Sequence, residues 1–461
     1  MRLTRFAASK WPGFPVFLRH SFVMRWILYN VLFAIGYLLL VPGFLLRMLR
    51  RGGYRRHFRQ RFGRYGALTV AKMAGDPAAE RPIWIHAVSV GEVYVAWQVM
   101  HALRVKRPGT RFVLSTTSST GWREAEKRIR AEDVLIYNPL DFPCCVRRAL
   151  ATIRPRAFIL TESEIWPNLI RACGQRGIPV FLINARISDR SAPRYRRLRG
   201  WFGPVLREFR LLLAQSELDR QRLLDAGAAS SQVVVTGSVK FDVAHRDPAK
   251  AQQAAALLSQ LDMGAERTVL LGGSTWPGEE DLLLAIYRRL LPRYPSLRLV
   301  LVPRHFERGD AVAAAIAKAG FTCLRKNLLD AGVEPAARGA QAVLLVNTTG
   351  ELMGFYAQAE VVFVGKSLCE HGAQNMIEPC LCGKATLVGP YTENFRPVMA
   401  DLLEARALIQ VPDVAALERE IEGLLADPAR RAELGQRAAA AVQRRRGVIG
   451  RCADLLLQGM T

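Results

Sequence analysis

Residues 1–64 contain no aspartate and no glutamate, although they hold thirteen lysines and arginines. A segment so lacking in acid cannot neutralise itself with ion pairs, so it must meet an anionic surface or water. Metal-site patterns are missing as well. The seven histidines are scattered without an HExxH pair, and the eight cysteines form no double CxxC. The common zinc spacings are thereby excluded, and no protein-held metal is expected. Nor do the cysteines outline a disulfide framework: Cys144 and Cys145 are adjacent and Cys380 and Cys382 are one residue apart, as suits buried or incidental thiols in a reducing compartment.

What is present is a packed, basic chain. Apolar residues make up 50% and charged ones 23%, which excludes a disordered polymer. At 461 residues one core is too small, so two domains plus extras are expected. The net charge of +25 looks at first like nucleic-acid binding, but its distribution argues otherwise. Residues 1–64 supply a net thirteen and residues 185–210 a net six, leaving a mild excess elsewhere. Charge gathered beside an apolar segment favours a membrane surface, with no nucleic-acid partner.

That apolar segment runs from Trp26 to Leu46, 21 residues without a charge. As one helix it would be roughly 31 Å long, about the hydrocarbon thickness of a bilayer. It starts late and ends in a basic cluster, unlike a signal peptide. Pro42-Gly43 offers a stop that would leave the helix short of a full crossing. The arginines from Arg47 to Arg64 put the body on the cytoplasmic side. With leucine, isoleucine, valine and phenylalanine on every face, the segment is read as an anchor that neither globular domain needs for its fold.

Beyond Glu80, short apolar runs alternate with helical stretches, the pattern of a parallel sheet wrapped by helices. The pattern weakens near Phe241 and resumes at Thr268. The reading is an anchor and basic segment over 1–64, then two Rossmann-like α/β domains over 65–245 and 246–461. Such domains facing across a cleft make the glycosyltransferase-B architecture, with ligands at the carboxyl ends of the strands.

Polar motifs stand at those strand ends. Ser89-Val90-Gly91-Glu92 follows an apolar strand, and Glu92 in a helix's first turn is either a ligand-facing carboxylate or a helix-dipole partner. Thr161-Glu162-Ser163-Glu164-Ile165-Trp166-Pro167-Asn168 follows another, with two carboxylates suited to a binding loop. Arginines from Arg186 to Arg199 suit phosphate. Thr236-Gly237-Ser238-Val239-Lys240 places a lysine at the domain junction. In the second half, Pro303-Arg304, Thr349-Gly350-Glu351 and Asn375-Met376-Ile377-Glu378 follow strands and open helices, as a phosphate and ribose cradle would.

Together HAVSVGE, TESEIWPN, NARIS, TGSVKFD, GGSTWPGEE, LVPRH, TTGEL and QNMIEP, in that order, resemble the 3-deoxy-D-manno-octulosonic acid (Kdo) transferase family of lipopolysaccharide synthesis. The resemblance covers about residues 48–440. It implies inverting transfer of Kdo, without metal or other cofactor, from the donor CMP-Kdo to a lipid A precursor of the lipid IVA type. The setting it implies is the inner membrane and its lipids, with the body on the cytoplasmic face. Glu92 falls on the family's general base, and Glu162 and Lys240 on its transition-state stabilisers. CMP contacts fall on Pro303, Arg304, Thr349, Gly350, Glu351, Asn375, Met376, Ile377 and Glu378. The chain departs from the family at Gln374 and Trp276, where histidine is frequent, at Met376, where proline is, and at Asn347, where aspartate is. The competing readings are a transferase of the same fold using another nucleotide sugar, and a non-catalytic membrane-tethered binder of anionic lipid.

Overall fold

The computed structural model describes residues 16–51, 57–75, 80–264 and 266–461, with backbone alone for 16–23 and 44–51. Arg55 and Arg56 of the basic cluster lie outside the described residues, as do the side chains of Arg47, Arg50 and Arg51. The chain forms two units. Unit 1 holds the described residues up to Gly237 together with Ile449–Thr461, and unit 2 holds Ser238–Val448. Lys240 therefore belongs to unit 2.

Unit 1 is built on strands β1 (Ile83–His86), β2 (Phe112–Thr116), β3 (Val134–Tyr137), β4 (Ala157–Thr161), β5 (Val180–Ala185), β6 (Leu211–Ala214) and β7 (Val233–Val235). They pair in parallel in the order β3-β2-β1-β4-β5-β6-β7. Runs such as Phe158-Ile159-Leu160 are apolar on both faces because helices cover both sides of the sheet. Serine caps start the helices that leave β1 and β2, with Ser89 accepting from Glu92 N–H and Ser118 from Gly121 N–H.

Unit 2 repeats the plan with β8 (Thr268–Thr275), β9 (Leu297–Pro303), β10 (Thr322–Arg325), β11 (Ala342–Leu345), β12 (Val361–Val364), β13 (Ala385–Val388) and β14 (Ile409–Gln410). Their order is β10-β11-β9-β8-β12-β13-β14, all parallel. Alternate residues feed two cores. Leu270, Leu299, Leu301 and Phe363 pack on one face, while Leu271, Val300, Val362 and Val364 pack on the other. Each such side chain contributes about 1.5–3 kcal/mol on burial. The sheet order reverses between β1 and β4 in unit 1 and between β8 and β12 in unit 2. Each reversal leaves a crevice at the carboxyl ends of those strands.

The N-terminal helix is longer and more committed than its composition suggests. It runs Val16–Arg51 without a break at Pro42. Proline removes one helical hydrogen bond, but the turns on either side carry on. Its stretch Met24–Gly43 is long and apolar enough to cross a membrane by length and composition. One face nevertheless docks on unit 1. Trp26 Nε1 donates to Asn168 Oδ1 at 2.8 Å, and Asn168 Nδ2 donates to Asn30 Oδ1 at 2.8 Å. Tyr29 OH donates to Asp141 Oδ2 at 2.8 Å, and Phe33 and Tyr37 pack edge-on against Phe142. The expectation of an anchor irrelevant to folding is corrected here: without these residues Asp141 and Asn168 would lose partners inside the core region. The opposite stripe, Met24, Ile27, Leu28, Val31, Leu32, Ile35 and Leu38, is exposed at helical spacing.

Candidate active site

At the reversal of sheet 1, β1 delivers Glu92 and β4 delivers Glu162. Glu92 is the third residue of the helix Val90–Lys106 and is buried. Its Oε1 accepts from Ser89 N–H at 3.3 Å, and its Oε2 accepts from Val88 N–H at 3.1 Å, completing a capping box. Thr161 Oγ1, at the end of β4, lies 2.9 Å from Glu92 Oε2 and 3.0 Å from His86 O, one proton serving either. The carboxylate thus bridges the two strands that flank the crevice. The structure shows the helix-capping role of Glu92, with the side chain held at the crevice by Thr161.

Glu162 follows at once, with φ 57°, and its neighbour across the sheet, Asn184, has φ 53°. Asn184 Nδ2 donates to Glu162 Oε1 at 3.4 Å. Two non-glycine residues in the left-handed region on adjacent strand ends store strain of about 1–3 kcal/mol each, a pattern that concentrates at functional sites. Glu164, two residues on, was left out of the sequence-derived site. Burial, with the negative Glu92 nearby, pushes its carboxyl up to about 7. Its signal was its place in the same acidic loop as Glu162. His86, wholly buried on β1, is held down to about 3 by burial and is neutral; its Nε2 has no hydrogen-bond partner among the described residues.

In unit 2, Lys240 Nζ donates to Asn394 O at 3.2 Å and stands 4.1 Å above the Phe395 ring. Arg304, exposed, follows β9 and is fixed by its N–H to Thr275 O at 3.1 Å. Asn375 Nδ2 donates to Glu378 Oε1 at 3.0 Å. Burial raises Glu378, and Asn375, His245 and Arg304 pull the other way. Glu351 accepts from Thr348 Oγ1 and pairs with Lys326 at 3.1 Å, while Lys250 Nζ donates to Gly350 O at 2.6 Å. Thr349 and Gly350 are exposed. Pro303, Met376 and Ile377 are buried, so Met376 and Ile377 can offer a ligand backbone groups rather than side chains.

Two parallel seven-stranded sheets flanked by helices make a fold of the glycosyltransferase-B type. A glycosyltransferase structure from Rickettsia africae shares this fold, with TM-score 0.56 and 12% identity over 83% of this chain and 99% of that one. The sequence family described as 3-deoxy-D-manno-octulosonic-acid transferase (kdotransferase) matches residues 56–243. The Bordetella pertussis 3-deoxy-D-manno-octulosonic acid transferase is 36% identical over 86% of this chain and 90% of its own length. Its Haemophilus influenzae counterpart is 32% identical over 87% and 91%. The chain belongs to the 3-deoxy-D-manno-octulosonic acid transferase family and is a glycosyltransferase.

Proposed function

We propose that this enzyme moves Kdo from CMP-Kdo onto a sugar hydroxyl of a lipid A precursor of the lipid IVA type, with inversion and without a metal. The observation that supports this reading most is the Glu92 carboxylate at the crevice of sheet 1. In the proposed step Glu92 takes the proton of the acceptor hydroxyl as its oxygen attacks the anomeric carbon of Kdo. The bond from that carbon to the phosphate oxygen breaks, and CMP leaves with the electron pair. Thr161 Oγ1 keeps the carboxylate aimed, and Glu162 and Lys240 steady the charge that develops on the sugar and the phosphate. Arg304, Asn375, Glu378 and the Thr349-Gly350-Glu351 turn hold the nucleotide, with Pro303, Met376 and Ile377 shaping the strand and helix ends around it.

The acceptor's acyl chains and phosphates fit the surface beside the N-terminal helix. Its outward stripe is apolar, Arg25 Nη1 donates to Gly200 O at 2.7 Å, and Arg190, Arg194, Arg196, Arg197 and Arg199 are exposed nearby in sequence. Because the inward face is docked from Arg25 to Tyr37, the helix is read as lying in the membrane interface, with the body on the cytoplasmic face of the inner membrane. Glu92→Gln is the deciding variant, since glutamine retains a capping box but accepts no proton. Turnover of CMP-Kdo with a lipid A precursor, followed by mass spectrometry, should fall about 10²–10⁴-fold. CMP affinity should be unchanged. Near-normal turnover would return Glu92 to a purely structural role.

A further inference from the structure

The nucleotide residues proposed above leave Trp276 and Lys366, at the reversal point of sheet 2, without a role. At the carboxyl ends of β8, β9 and β12 the structure gathers Trp276, His305 and Lys366. Lys366 Nζ stands 4.4 Å above the Trp276 ring, and the same indole meets His305 edge-on with ring centres 5.4 Å apart. Lys366 is half-buried and pairs with no carboxylate among the described residues. The Trp276 indole N–H is buried and likewise without a partner among the described residues.

The cluster is a built site. Glu279 is fully buried, and its Oε2 accepts from Trp276 N–H at 2.9 Å and from Lys366 N–H at 2.8 Å. Its Oε1 accepts from Ser367 and Leu368 N–H at 3.1 and 3.2 Å. One carboxylate therefore fixes the backbone beneath both side chains and is spent in doing so. The neighbouring Glu280 is spent on Arg308 at 2.7 Å. Lys366 and Ser274, on the two strand ends that flank the crevice, both adopt left-handed conformations, at φ 58° and 53°. Gly365 lets these ends touch, since a Cβ there would lie 2.4 Å from Ser274 O. Strain held in place by a buried carboxylate at a topological reversal marks a ligand position rather than a packing accident.

We propose that Lys366, stacked on Trp276, is the subsite for the carboxylate of the donor's acidic sugar, with Glu279 as its positioning residue. The inference rests on the CMP-Kdo reading above. An ammonium over an aromatic face, lacking a protein counter-charge, attracts an anion, and the donor offers two: the phosphate and the sugar carboxylate. Arg304, after β9, and the Asn375–Glu378 turn, which follows Lys366 beyond the same strand β12, are assigned to the nucleotide and account for the phosphate. The carboxylate is left for the reversal point.

The test compares Lys366→Met and Lys366→Arg with the parent, using CMP as the probe with phosphate alone and CMP-Kdo as the probe with both anions. The expected result for Lys366→Met is a KM for CMP-Kdo raised about tenfold or more, a Kd for CMP within about twofold of the parent, and partial recovery in Lys366→Arg. Trp276→Phe, which retains a ring but no N–H, should raise the same KM less. An equal loss of CMP affinity would assign Lys366 to the phosphate and overturn the proposal. So would an unchanged KM in a folded Lys366→Met enzyme. If the parent itself turned over another nucleotide sugar and not CMP-Kdo, the functional reading would fail, a separate outcome visible before any variant is made.

Discussion

Glu164 shows how one carboxyl's surroundings become a measurable property of the fold. Burial first, then the charge of Glu92, lift it from an ordinary 4.5 to about 7. The folded state thus holds this proton more firmly than the unfolded chain. Its share of stability is whole below pH 4.5 and is lost as pH rises to about 7. Glu164→Gln carries no such dependence. Relative to the parent, its Tm should climb between pH 4.5 and 7 and then level off in scanning calorimetry. A constant difference across that window would mean that Glu164 is solvated. The places of Glu92 and Glu162 just beyond strands were legible in the sequence, because each closely follows a run of apolar residues. Trp276 and Lys366 were not legible as a pair. Ninety residues separate them, and the parallel pairing of β8 with β12 brings them together.

Among the elements, the N-terminal helix departs furthest from its sequence reading. Trp26, Tyr29, Asn30, Phe33 and Tyr37 recur at helical spacing and form one face, but the apolar residues around them mask that stripe. Their partners Asp141, Phe142 and Asn168 lie more than 100 residues away, beyond any local pattern. Asp141 takes N–H groups of Asn168 and Leu169 as well as Tyr29 OH, and burial pushes it up to about 7. Tyr29→Phe should therefore cost about 1–3 kcal/mol in detergent-solubilised protein, as a buried oxygen loses a donor. Removing residues 1–46 should cost more and should lower solubility as well as membrane binding. Denaturant melts of both forms decide the matter; a truncated chain as stable as the parent would restore the helix to a simple tether. The strands β1, β2, β4, β5, β8, β9, β11, β12 and β13 were anticipated from their apolar runs. The strands β3, β6, β7, β10 and β14 were not. Leu211-Leu212-Leu213-Ala214 suits a helix as well as a strand, and β14 is two residues long.

At the scale of the whole molecule, the sequence divides the body near residue 245, whereas the units part at Gly237 and again at Val448. The helix Val448–Met460 returns to unit 1. It buries Cys452, Ala453 and Leu456, donates from Arg451 to Thr236 O at 3.0 Å, and pairs Asp454 with Lys106 at 2.7 Å. Helical periodicity alone does not say which sheet a helix will cover. A chain ending at Arg446 should lose hydrogen-exchange protection in β1, β4, β5 and β6 while β8, β9 and β12 keep theirs. Equal loss in both units would mean that they fold as one. The same return has a consequence for synthesis. A ribosome making this chain releases all seven strands of unit 1 early, then must produce the whole of unit 2 before the helix that finishes unit 1 emerges. For that interval the nascent unit 1 exposes the apolar surface that Leu456 and its neighbours will cover, at the stage when the apolar N-terminal helix is already out. At roughly 5–20 residues per second the gap lasts on the order of ten seconds or more, long enough for a chaperone or the lipid surface to shield the unfinished unit.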